Sequence, residues 1–77
     1  MTFHEAIISI LAEMQIALDQ DKMQEYERLS HILSGAFIGT EIQNGKVLTK
    51  QVNVPKGAEI CPNFMAIEEY RLEKENQ

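Results

Sequence analysis

Residues 3–18 carry apolar side chains on two sides of one helix, and no other feature limits this chain's fold as much. At 100° steps, Phe3, Ala6, Ile7, Ile10, Leu11, Met14, Ala17 and Leu18 form one broad apolar face. Ile8, Ala12 and Ile16, each four residues from the next, form a second stripe on the opposite side. A helix apolar on two sides needs cover on two sides. A neighbouring helix supplies the first cover. The second comes either from a sheet of the same chain or from another chain.

The helix boundaries are written locally. Thr2-Phe3-His4-Glu5 reads as a capping box, with the Thr2 hydroxyl and the Glu5 carboxylate serving each other's backbone amides. The predicted helix runs over 3–20. Asp21-Lys22-Met23-Gln24 repeats the start signal, with Asp21 as the cap, and predicts a second helix over 22–34. That helix presents Met23, Tyr26, Leu29, Ile32, Leu33 and Ala36 on one side, with Gln24, Glu27, His31 and Ser34 opposite. Gly35 reads as its terminator. The link between the helices is so short that they fold back as an αα-hairpin.

After Gly35 the period changes. Two runs of β-formers, 37–43 and 46–54, flank Asn44-Gly45, and this pair suits the two left-handed positions of a type I′ turn. Such a turn pairs Ile42 with Val47 and Ile38 with Gln51, which sends Leu48, Val52 and Val54 to the other face. Either a bulge shifts the register or both faces are covered, and a second chain is able to supply one cover. Residues 62–73 have helix-forming composition, and Pro62 suits a first turn. Yet Phe64, Met65, Ala66, Ile67, Tyr70 and Leu72 scatter around a helical wheel. As a strand, Phe64, Ala66, Tyr70 and Leu72 share one side. The composition favours helix, with 74–77 a frayed tail. The expected fold is α+β in one domain: an N-terminal antiparallel αα-hairpin packed on a β-hairpin over 37–54, then a short C-terminal helix.

A chain of 77 residues buries a modest core. Cys61, the one cysteine, rules out an internal disulfide, and the sequence has no zinc-ligand spacing. Of the usual supports for small domains, association with another chain remains. The net charge of −5 disfavours non-specific binding to nucleic acid. No run is long enough to span a bilayer, the N-terminal residues do not read as a secretory signal, and a free cysteine suits a reducing cytoplasm.

The candidates for chemistry are few. His4 and His31 lack partners at metal-ligand spacing, and Glu27 four residues before His31 suggests a weak surface pair. Cys61 has no base near it in sequence. Glu68, Glu69, Glu73 and Glu75, interleaved with Arg71 and Lys74, read as a solvated surface. There is no phosphate loop, nucleophile elbow or dinucleotide fingerprint. The expectation is no catalytic residue, no cofactor and no metal.

Charge is uneven. Residues 1–20 hold Glu5, Glu13 and Asp19 with no Lys or Arg, whereas Lys46, Lys50 and Lys56 outnumber Glu41 and Glu59 over 41–60. Lysines on a hairpin commonly guard an edge strand. As a helix-turn-helix reader, the second helix offers Lys22 and Arg28 against Glu25 and Glu27, which leaves no positive face. The sequence therefore points to a small non-enzymatic protein-interaction module, homodimeric, with Ile8, Ala12 and Ile16 as its interface and an acidic rim. The alternatives are a nucleic-acid-binding regulator using the hairpin lysines, and an enzyme subunit whose site forms across a dimer interface.

Overall fold

A computed structural model describes residues 1–51 and 64–76. Its elements are α1 (Phe3–Asp19), α2 (Met23–Ser34), β1 (Ile38–Gln43), β2 (Lys46–Gln51) and α3 (Met65–Glu75). The arrangement is α+β: two antiparallel helices, a two-stranded antiparallel sheet and a short C-terminal helix.

The capping box at the start of α1 forms in both directions. The Glu5 amide donates to Thr2 Oγ1 at 3.1 Å, and the Thr2 amide donates to Glu5 Oε1 at 3.0 Å. The backbone hydrogen bond from Thr2 holds the Glu5 carboxyl below its ordinary value. Thr2→Ala is expected to destabilise the protein by about 0.5–2 kcal/mol, read as a shift in the denaturation midpoint.

The turn between the helices is built differently from the sequence reading. Asp21 is not the cap of α2; that position is Lys22, which makes no side-chain cap bond. Asp21 instead closes α1, in left-handed conformation at φ 56°. The Lys22 amide reaches the Ala17 carbonyl at 2.8 Å and the Asp21 amide reaches Leu18 at 3.1 Å, the two bonds of a Schellman motif. Aspartate is favoured at N-caps and tolerated in the left-handed region, so composition alone did not separate the two roles. Asp21→Gly is accordingly expected to keep or raise the melting temperature, and Asp21→Val to cost about 1–2 kcal/mol. Equal losses in both variants would place the value of Asp21 in its carboxylate instead.

Gly35 terminates the second helix, as its C-cap. Helix α2 ends at Ser34 as expected, but Gly35 is right-handed at φ −61°. The chain tightens into i→i+3 bonds, Ala36 to Leu33 and Phe37 to Ser34, both 3.0 Å. The left-handed residue is Phe37 at φ 60°.

The hairpin takes the simple register, with Ile42 opposite Val47 and Ile38 opposite Gln51. Asn44 and Gly45 have φ of 52° and 75°, as a type I′ turn requires. Ile38 and Val47 face the helices and pack on their core. Leu48 faces the other way and is 41% exposed. Val52 and Val54, like Cys61 and Pro62, lie outside the described residues.

The core is helical. Ala6, Ile10, Met14 and Ala17 of α1 pack with Tyr26, Leu29 and Leu33 of α2 and with Ile67 and Tyr70 of α3. Met23, placed on the apolar side of the second helix by the sequence, is exposed. The ring of Phe3 meets that of Phe64 edge-on at 5.1 Å, which fixes the start of α3 over the start of α1.

Candidate functional site: the outer face of α1

Two neighbours grip α1 and leave the strip between them open. The first grip is polar and comes from α3. Tyr70 donates its phenolic proton to Glu13 Oε2 at 2.6 Å, and Lys74 Nζ lies 2.6 Å from Glu13 Oε1. Ser9 Oγ lies 2.8 Å from the Tyr70 hydroxyl. A phenol has one proton, already given to Glu13, so Ser9 is the donor in that pair. The Lys74 ammonium also stands 5.5 Å from the centre of the Tyr70 ring.

The charges of this cluster follow from its contacts. Burial raises Glu13, but the hydrogen bonds from Lys74 and Tyr70 together outweigh it and hold the carboxyl below its usual value. Burial and the bond to Glu13 push Tyr70 up, and the bond to Glu13 raises Lys74. A tyrosine that holds its proton more tightly is the opposite of an activated base. The cluster orients α3 against α1. It also predicts a pH dependence. Because folding lowers the Glu13 pKa, its contribution is present above the unfolded value and is lost as pH falls through the folded one. Melts taken from neutral pH downward should therefore lose stability on the acid side, and Glu13→Gln should flatten part of that fall. An unaltered acid limb in Glu13→Gln would refute the assignment.

The second grip comes from Gln15. Its Nε2 donates to the Gly45 carbonyl at 3.0 Å, and its Oε1 accepts from the Val47 amide at 2.9 Å. The side-chain amide thus pairs with the outer edge of β2 as another strand would. Nε2 also donates to Asp19 Oδ1 at 3.1 Å.

Between the grips, Glu5, Ile8, Ala12, Ile16 and Asp19 share one exposed arc of the helix. Ile8 is 53% and Ile16 54% exposed. Their own hairpin does not bury them. Glu13, Ile16, Ala17 and Gln20 continue the arc into a shallow groove that Lys22 and Glu25 close.

The remaining sequence candidates stay apart from this face. His4 and His31 are exposed on different helices, and Cys61 lies outside the described residues. No group of three or more His, Cys, Asp or Glu among the described residues could hold a metal ion. Arg28, offered as a phosphate contact on α2, is paired with Glu25. Arg71 pairs with Glu68 at 2.8 Å, in keeping with a charged surface on α3, whereas Lys74 leaves that surface to reach Glu13. Ser9, Glu13, Gln15, Tyr70 and Lys74 were not singled out together by sequence reasoning. Glu13 and Lys74 are 61 positions apart, and no local pattern joins them. No helix among the described residues is long and apolar enough to cross a membrane. No family model matches the chain, and the comparisons with curated proteins and with solved structures return no match.

Proposed function

We propose that this protein is a small non-enzymatic interaction module, a regulator, adaptor or inhibitor working in the cytoplasm through the outer face of α1. The observation that carries this reading is the half exposure of Ile8 and Ile16 on a helix held from both flanks. Fully covering a large aliphatic side chain is favourable by about 1.5–3 kcal/mol, and roughly half of that is left to gain at each isoleucine. Two of them on one rigid face, with Ala12 between, give a partner an apolar strip that needs no rearrangement to bind. Glu5 and Asp19 at its ends supply an acidic rim that selects against acidic surfaces.

The test is site-specific photocrosslinking in cells. A photoreactive residue at Ala12 is expected to give discrete protein adducts that the same residue at Glu27, on the exposed side of α2, does not give. Equal or absent adducts at both positions would overturn the reading.

A further inference from the structure

Resting on that reading, we infer that the partner of the α1 face is a second copy of this chain, whose hairpin brings the strip Lys46-Leu48-Lys50 onto it. The two surfaces match in charge, in shape and in length. Along α1 the exposed residues are symmetric about Ala12: isoleucine four positions away on either side, an acid seven positions away on either side. At the rise of a helix, Ile8 and Ile16 lie about 12 Å apart and each acid about 10 Å from Ala12. On the outer face of the hairpin, Lys46, Leu48 and Lys50 are alternate residues of β2, all exposed, and the lysines lie about 13 Å apart. Leu48 set over Ala12 enters the gap between the isoleucines. Each lysine then stands about 7 Å from the centre, with its acid within the reach of its side chain. Glu41 sits opposite Leu48 on the same face, so the strip keeps a net positive charge against an α1 that has no cation.

The alternative of α1 packing antiparallel on its own copy brings Glu5 near the partner copy's Asp19, like charge on like, and so is disfavoured. Each chain carries both surfaces, so a two-fold arrangement uses the contact twice and closes as a dimer. The same pairing covers Leu48, which its own chain leaves exposed.

A charge-swap experiment tests this. One variant carries Lys46→Glu with Lys50→Glu; the other carries Glu5→Lys with Asp19→Lys. Sedimentation velocity on the full chain is expected to show a dimer for the native sequence and a monomer for each variant, because both contacts become repulsive. Mixed in equal amounts, the variants are expected to form a dimer again, since both contacts are then complementary. High salt should weaken the native dimer. Circular dichroism checks that each variant is folded; should a charge variant unfold, Leu48→Asp and Ile16→Asp replace the pair, each expected to be monomeric. A native chain that stays monomeric overturns the inference, as does a dimer that survives both substitutions or a mixture that stays monomeric. Photocrosslinking at Ala12 separates the two claims. Adducts to a different protein with a monomeric native chain leave the interaction reading standing and remove the self-association.

Discussion

Ile67→Ala is expected to destabilise the protein by about 2–5 kcal/mol, the usual cost of removing a large aliphatic side chain from a packed core. Ile67 is fully buried and is, of the two side chains that α3 places in the core, the one without a polar atom. The other anchor, Tyr70, is held by hydrogen bonds to Ser9 and Glu13 at the rim. An isolated helix of eleven residues is marginal in water, so α3 owes its form to docking rather than to its own propensity. The loss should therefore fall on α3 first. Hydrogen exchange is expected to show its amides opening in Ile67→Ala at denaturant concentrations where those of α1 and α2 remain protected. Ile8→Ala, by contrast, should lower the stability of the isolated chain by only about 1 kcal/mol or less, because half of that side chain is already in water. Equal losses from the two substitutions would mean that α3 does not pack as described.

How far each element could be read in advance depended on the range of the interactions that fix it. The start of α1 was legible because both partners of its cap lie within four residues. The hairpin register was legible because Asn44-Gly45 admits one turn type, and that turn dictates which residues face each other. The sequence left open whether a bulge relieves the mismatch between strands. The structure keeps the register and leaves Leu48 in the open. Helix α3 was legible by composition but not by period, since its inner side mixes Ile67 and Tyr70 with the stem of Lys74.

The departure at Asp21 has a local origin. Asp21 reads by residue type as an N-cap, and the backbone uses it instead as the left-handed residue that closes α1, whereas Gly35 does end α2. Asp21 is left-handed because the Schellman bonds to Ala17 and Leu18 need that conformation at its position. Gly35 is right-handed because the turn after α2 is made two residues later, at Phe37. The α1 face was legible as a periodicity. What flanks it was not: Gln15 gripping the edge of β2, and Glu13 holding Tyr70 and Lys74, join residues 30 or more positions apart.

The second large effect belongs to the hairpin turn. Gly45→Val is expected to cost about 1–3 kcal/mol, because Gly45 sits at φ 75° and a β-branched residue resists that conformation. A β-carbon built at Gly45 meets no atom within 4 Å, so the cost is one of backbone and not of collision. That distinction can be measured. If backbone decides, Gly45→Asn is the mildest of three substitutions, Gly45→Ala intermediate and Gly45→Val the worst, since asparagine tolerates the left-handed region best. If crowding decides, asparagine, larger than alanine, costs more than alanine. The Gly45 carbonyl also accepts from Gln15 on α1, so strain in the turn pulls on the joint between sheet and helix. Gly45→Val should for that reason cost less in a Gln15→Ala background, where the joint is already broken. A double-mutant cycle reads that coupling directly, and strict additivity would show that the turn and the helix hold their geometry independently.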